Sequence, residues 1–327
     1  MGTRAVTIID VAREAQVSRQ TVSRALNGLP EVSESTRSRV LQAARRLNYR
    51  PNRAAQDLVR GRDVTIGLVV RDLRNPYYPQ LASVLSRLAA ERGWGVVLCD
   101  LGRDDADAEA RLTDLLRRVD AVVGSVPAGL AGRGSLPVPV VALDTEPVGP
   151  DEPAIAIDYG PGIAAALEHL VARGRRRIAM VDADRTPSRR RLLYRAHLRR
   201  HGLAWDPRWE VVSEDTHSGG VTAAEVLRER CPEVDAVLVF NDVIAVGVLK
   251  GLTRAGVAVP GELAVVGIDG LDIGTLVTPE LTTVAIDRTE LARHAVELVA
   301  AALGSPADPA GGGRRVLVPT LVVRESS

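Results

Sequence analysis

Thr7-Ile8-Ile9-Asp10-Val11-Ala12-Arg13-Glu14-Ala15-Gln16-Val17-Ser18-Arg19-Gln20-Thr21-Val22-Ser23-Arg24-Ala25-Leu26-Asn27-Gly28 is the first regular pattern of the chain. Thr7 places an N-cap hydroxyl three residues before Asp10, a variant of the capping box. Ile8, Val11, Ala12 and Ala15 then recur at helical spacing. Gln16-Val17 makes a short turn, and Ser18 can cap a second helix that ends near Asn27-Gly28. Val22, Ala25 and Leu26 form its inner face, which leaves Arg19, Gln20, Ser23 and Arg24 outside. Ser33-Glu34-Ser35-Thr36 opens a third helix, with Val40, Leu41, Ala44 and Leu47 inside and Arg37, Arg39, Arg45 and Arg46 outside. Two short helices with a tight turn, and a third that completes a small core, make a helix-turn-helix.

Charge supports that reading. Residues 1–62 carry a net +7 and the remainder −6, so an arginine-rich head sits on an acidic body. This is the asymmetry expected when one end meets phosphates. The second helix has the chemistry to read bases. Arginine offers two parallel donors to guanine O6 and N7, and glutamine pairs likewise with adenine N6 and N7. A solvated polar face is the plainer reading of an isolated Arg-Gln pair. Turn, caps and charge together favour double-stranded DNA.

The segment 50–62 follows, with Pro51 suited to a first helical turn and Gly61 to its end. About two turns is too short for a helix stable alone. Ala54, Ala55 and Leu58 offer little apolar surface to offset the ordering entropy. The expectation is a linker that becomes helical only on DNA.

The whole chain has 327 residues, too many for one simple domain. With 46% hydrophobic and 25% charged residues it can build sizeable cores, which excludes a wholly disordered chain. No apolar run reaches the ~20 residues of a membrane span. Met1 to Val6 shows no apolar signal segment, so a cytoplasmic protein is expected. Cys99 and Cys231 lie far apart without a CxxC, against a disulfide framework or a cysteine-rich metal site.

Beyond Val64 short apolar runs alternate with amphipathic segments. The runs are 65–70, 96–99, 121–124, 138–143, 155–158, 177–181, 236–240, 264–268, 283–286 and 316–323. Such strands between helices mean parallel sheets covered on both faces. About ten of them suggest two doubly wound subdomains, with a βα barrel as the structural rival. Ligands of open α/β sheets bind beyond the C-terminal strand ends. Arg71-Asp72, Asp144, Asn241-Asp242, Asp269 and Asp287 stand there. Singly each is a helix cap; converging on one crevice, acids and amides with an arginine can pair the vicinal hydroxyls of a sugar.

The head closely resembles the LacI/GalR (lactose-repressor/galactose-repressor) family of transcriptional regulators. The resemblance rests on Thr7-Ile8-Ile9-Asp10-Val11-Ala12, Val17 to Arg24, Val32-Ser33 and Leu47-Asn48-Tyr49-Arg50-Pro51-Asn52. It implies an all-α helix-turn-helix head (1–49), a hinge helix (50–62) and an α/β body (63–327) of two doubly wound parallel-sheet subdomains, periplasmic-binding-protein-like. The N-subdomain would span about 63–157 and 288–315, and the C-subdomain about 158–287 and 316–327, with crossings near Asp158, Asp287 and Val316. The resemblance places Arg19, Gln20 and Arg24 on specificity positions, with Asn27 after them. Thr7, Ser18, Thr21, Ser23 and Asn52 complete the expected DNA-contacting set, with Ala55 and Leu58 meeting the minor groove. Asn75-Pro76-Tyr77-Tyr78 resembles a motif at the mouth of the effector pocket. Asp144, Arg190, Asn241, Asp269 and Arg288 fall on effector positions, and Arg189-Arg190-Arg191 permits more than one register.

The implied function is a repressor of a pseudo-palindromic operator, controlled by a small-molecule effector of sugar type, with neither cofactor nor metal. The chain stops soon after its last strand without a heptad segment, so a homodimer is the default. The rivals are a sugar-binding transport-type protein without DNA function, and an enzyme on a doubly wound fold. P-loop, GxSxG and HExxH motifs are absent, and non-enzymatic function is expected. His197 and His201 stand four apart, a possible metal pair, but without a visible third ligand a partly exposed helix face is the plainer reading.

Overall fold

The computed structural model describes residues 8–26, 32–47, 64–102, 107–126, 136–144, 153–183, 187–304 and 313–327. They form two units that divide after Val64. Expected contacts at Thr7, Asn27, Asn52, Ala55 and Leu58 lie outside the described residues, as does the hinge.

The first unit is three helices, α1 (Ile8–Glu14), α2 (Arg19–Leu26) and α3 (Glu34–Arg46). Val11, Ala15, Val22, Ala25, Val40 and Ala43 are almost fully buried between them. The turn after α1 puts Gln16 in the left-handed region at φ 54°. The Val17 N–H returns to the Ala12 carbonyl at 3.0 Å, which closes α1 with a Schellman-type cap. Ser18 starts α2 as its pattern requires: its Oγ accepts the Thr21 N–H at 3.0 Å. One inner position differs from expectation. Leu41 is 39% exposed, and Ala43 is buried instead. At 100° per residue Val40, Ala43, Ala44 and Leu47 share a face that Leu41 misses.

The second unit holds two six-stranded open sheets, which settles the barrel question against the barrel. The first sheet contains β1 (Thr65–Val70), β2 (Gly95–Asp100), β3 (Ala121–Gly124), β4 (Val140–Leu143), β5 (Ala154–Ile157) and β11 (Arg314–Leu317). All its pairs are parallel, in the order β11-β5-β4-β3-β1-β2. The second contains β6 (Ile178–Asp182), β7 (Glu210–Val212), β8 (Ala236–Val239), β9 (Ala264–Asp269), β10 (Thr282–Ala285) and β12 (Thr320–Val322). Its order is β12-β10-β9-β8-β6-β7, parallel except for the β10–β12 pair. Helices α4 (Tyr77–Ala90), α5 (Ala108–Leu116), α6 (Tyr159–Ala172), α7 (Arg189–Arg200), α8 (His217–Arg230), α9 (Asp242–Arg254) and α10 (Arg288–Ala302) alternate with the strands. Among the described residues no helix is long and apolar enough to cross a membrane.

The chain crosses between sheets after β5 at Asp158, after β10 at Ile286-Asp287, and at Val318-Pro319. The third crossing corrects two expectations. The run 316–323 is two strands in different sheets, and Val316 and Leu317 belong to the first sheet, paired with β5. Pro319 has no N–H for a ladder, and the Leu317 carbonyl instead accepts the Asp158 N–H at 2.8 Å. The edge strand β7 was not expected, since only Val211 of its three residues is buried and it leaves no apolar run. At the other sheet's edge β2 is not covered on both faces, and Val97 and Leu98 remain exposed.

Helices α8 and α9 meet through small residues. A Cβ on Gly247 would stand 2.1 Å from the His217 carbonyl oxygen and 2.9 Å from the Gly220 Cα. A Cβ on Gly251 would meet the Ala224 methyl at 2.6 Å. This seam sets how closely α9 approaches, and α9 carries Asn241 and Asp242 to the strand ends.

Candidate functional site

In the first unit α2 presents Arg19, Gln20 and Arg24 as exposed side chains. Thr21 is half-buried, its hydroxyl 2.8 Å from that of Ser18, and both belong to the cap at the helix start. Ser23 lies on the same helix. The cap and the buried Val22 and Ala25 fix the helix so that the polar side chains are held at one surface.

In the second unit the strand ends of the two sheets face one cleft of about 300 Å³. Asp144, Tyr159, Arg189, Arg190, Phe240 and Arg314 are among the residues that line it. Asp144 directly follows β4 of the first sheet at φ 48°, and Asp269 ends β9 of the second at φ 120°. Left-handed backbone at a non-glycine residue costs free energy that the surroundings must offset, and such positions cluster at ligand sites.

Arg190 links the two acids. Its Nη2 donates to the Tyr159 hydroxyl at 2.8 Å and to Asp269 Oδ1 at 3.3 Å. Tyr159 in turn donates to Asp144 Oδ2 at 2.7 Å. The Arg190 Nη1 donates to the Phe240 carbonyl. The guanidinium lies 4.4 Å from the centroids of both the Tyr159 and the Phe240 rings. A planar cation between two aromatic faces is held by cation–π attraction as well as by its hydrogen bonds.

The arginine triplet separates by helical rotation. Ser188 caps α7, accepting the Arg191 N–H at 3.1 Å. Arg191 turns inward, 2.9 Å from the buried Asp182. Arg190 points into the cleft and Arg189 lies at its exposed rim.

Electrostatics follow from burial. Burial opposes the Arg190 charge, but Tyr159, Asp269 and Asp144 outweigh it and raise its pKa. Burial pushes Asp269 up to about 8; Arg190 works against this, and Asp242, Asp215 and Asp144 reinforce it. Burial raises Asp144 as well, against Arg190 and the Tyr159 hydrogen bond. Tyr77 is pushed well above its ordinary value by burial, with Tyr159, Asp269 and Asp144 adding to it. Tyr78 is pushed up to about 12, by burial first and Asp269 next. Both tyrosines thus stand in the field of the cleft acids, edge to face with centroids 5.4 Å apart.

Two other expected residues are placed differently. Asn241 divides its amide: Oδ1 caps α9 by accepting the Ile244 N–H at 2.9 Å, and Nδ2 donates to Asp215 Oδ1 at 2.6 Å. Arg288 donates to the Asp269 and Gly270 carbonyls, both at 3.0 Å, so it braces the turn after β9. Asp242 braces the same turn, accepting the Leu271 N–H at 2.7 Å and the Thr283 hydroxyl at 2.7 Å. Asp72 is occupied by Arg74 at 2.9 Å, and Asp287 caps α10. Sequence reasoning missed Tyr159 and Asp215 as parts of the site and left Phe240 as an ordinary strand end. The available signal was an aromatic directly after the crossing at Asp158, and the chain's single phenylalanine directly before Asn241.

A basic helix-turn-helix head and a two-sheet body with a polar cleft define a DNA-binding regulator of the ligand-controlled class. The chain matches the bacterial regulatory proteins of the lacI family over residues 7–52 and the periplasmic binding protein-like domain over residues 167–327. The ribose operon repressor of Escherichia coli (strain K12) is 33% identical over 302 residues, covering 90% of this chain and 92% of its own. A lac repressor dimer bound to operator and the anti-inducer ONPF superposes with a TM-score of 0.81 at 28% identity, over 99% of each chain. A LacI family regulator from Arthrobacter sp. FB24, in complex with lactose, gives 0.71 at 35% identity over 80% of this chain and 99% of that one. The chain belongs to the lacI family of bacterial regulatory proteins.

Proposed function

We propose that this family member is a homodimeric repressor whose grip on a pseudo-palindromic operator is set by a sugar or sugar derivative bound between the two sheets. The observation that carries the effector reading is the Arg190–Tyr159 bridge: an arginine stacked on two rings bonds Asp269 of the second sheet directly and Asp144 of the first through the Tyr159 hydroxyl. Vicinal hydroxyls suit such a set, because they donate to Asp144 or Asp269 and accept from Arg190. Their apolar ring face packs on aromatic side chains. The proposed effector set is Asp144, Arg190, Asn241 and Asp269 with Tyr77 and Tyr78 at the mouth, and with Arg288 acting through the Asp269 turn. Because the bridge joins elements of both subdomains, a ligand that replaces it changes their preferred angle. The coupling equals the ligand's differential affinity for the two angles.

The regulator reading is favoured over an enzyme by the relatives, which are transcriptional repressors. An operator-binding protein works where the DNA lies, in the cytoplasm. The exposed Val97 and Leu98 on the edge strand β2 suit cover by a second copy. Titrating the purified protein calorimetrically with a panel of mono- and disaccharides and nucleosides tests the effector reading. One saturable site per protomer is expected for a member of the sugar set; nucleoside binding alone redirects the proposal to a base-stacking ligand.

On the DNA side Arg19, Gln20 and Arg24 are proposed to read base edges, with Ser18, Thr21 and Ser23 as backbone contacts. Arg24→Ala should lose about 1–3 kcal/mol of discrimination at one base position, measured on an operator with single-base changes. Equal weakening on every sequence would instead mark Arg24 as a phosphate contact.

Effector binding should also depend on pH. Asp269 ionises near 8 in the folded protein and near its ordinary 3.8 when unfolded. The folded state therefore holds the extra proton between those values, and stability falls as pH rises through that window. Sugar hydroxyls that donate to Asp269 favour the carboxylate. Effector binding should then release protons below about pH 8 and tighten between about pH 6 and 8. Calorimetry in two buffers of unlike ionisation heat reads the proton count. An affinity that stays flat over this range, in the wild type as in Asp269→Asn, removes Asp269 as the hydroxyl acceptor.

A further inference from the structure

Helices α6 and α7 run side by side, and their first turns meet at the cleft through the Arg190–Tyr159 hydrogen bond. Further along the same pair lies a second polar cluster, away from the cleft, made by Glu168 of α6 with His197 and His201 at the end of α7. One ligand atom from each of the three lies within 4.8 Å of the other two. The imidazoles are stacked, with centroids 4.1 Å apart and planes at 22°. His197 is only 8% exposed, and its Nε2 is buried without a hydrogen-bond partner. A buried imidazole nitrogen left in that condition carries an uncompensated desolvation cost.

We propose that Glu168, His197 and His201 bind a divalent transition-metal ion of the Zn²⁺ class. Two histidines one helical turn apart present their rings on one face, and the carboxylate completes a His₂Glu donor set with a position left for water. Four-coordinate ligands at about 2.1 Å from the ion stand roughly 3.4 Å apart, so the exposed Glu168 and His201 side chains close the set by rotating, with the His201 ring turning out of its stack on His197. Glu168 favours a cation here, and the nearby Arg200 opposes it. The bound ion would clip together the two helices whose first turns carry Tyr159 and Arg190 to the effector cleft. The third ligand, invisible from the His197/His201 spacing, comes from a helix some thirty residues earlier.

The test uses the full chain, purified without a histidine tag, stripped with a chelator, and titrated with Zn²⁺ and with Co²⁺. One ion per protomer is expected, with the intense visible bands of four-coordinate Co²⁺. Glu168→Gln and His201→Gln, both at exposed positions, should each weaken binding by about tenfold or more while the metal-free thermal unfolding stays unchanged. His217→Gln should bind as the wild type does. Absence of saturable binding below millimolar metal, or binding indifferent to both Glu168→Gln and His201→Gln, overturns the proposal.

Discussion

Arg190→Ala should weaken effector binding by about 100-fold or more while operator binding without effector stays near wild type. The side chain makes hydrogen bonds to Tyr159, Asp269 and the Phe240 carbonyl and stacks on two rings, so its removal takes away five contacts at the cleft at once. Each charged hydrogen bond lost in a dry site is worth about 1.5–3 kcal/mol, and two suffice for the stated loss. The fold should survive. Without the guanidinium, Asp269 is left beside Asp242, Asp215 and Asp144 and can neutralise itself by keeping its proton. Arg190→Lys should not restore binding, because a point charge cannot replace a planar fork between two rings. Calorimetric titration with the saccharide that binds the wild type checks both variants. A wild-type affinity in Arg190→Ala would move the role to Arg189.

Gly247→Val should destabilise the second unit by about 3 kcal/mol or more. The obstruction is backbone, the His217 carbonyl at 2.1 Å from an added Cβ, so no side-chain rotation relieves it. Helices α8 and α9 must separate or tilt. The consequence reaches the cleft, because α9 begins at Asp242, which holds the turn after β9 on which Asp269 sits. The expected result in urea is a lower midpoint with an unchanged slope, accompanied by weaker effector binding. A midpoint within experimental error of wild type would mean that the two helices have slack that their small-residue contact does not show.

Periodicity served best where burial is complete. Thr65–Val70, Ala121–Gly124 and Ala264–Asp269 are apolar because both sheet faces are covered, and such runs read directly as parallel strands. It served worst at edges. Glu210–Val212 buries one apolar side chain, and 316–323 reads as one strand although it serves two sheets. The cleft was half legible. Acids at strand ends announce themselves, and Asp144 and Asp269 stand at one site. What no single stretch encodes is which of them an arginine from another helix will join. Asn241 is at once the helix cap that its position predicts and a partner of Asp215, twenty-six residues away. Arg288, set at the effector by the family resemblance, donates to the Asp269 and Gly270 carbonyls, a pairing that no local pattern announces. In the head the amphipathic pattern erred by one residue, at Leu41, on a helix whose inner face is mostly alanine.

The most direct test is fluorescence anisotropy of the full-length protein on the DNA upstream of its own gene, with and without the saccharide found to bind. The account predicts a dimer bound to a pseudo-palindromic site at physiological salt, with an affinity that the saccharide changes at least tenfold in the wild type and leaves unchanged in Arg190→Ala. A chain that binds the sugar normally but holds this DNA no better than unrelated sequence, with or without it, would contradict the account.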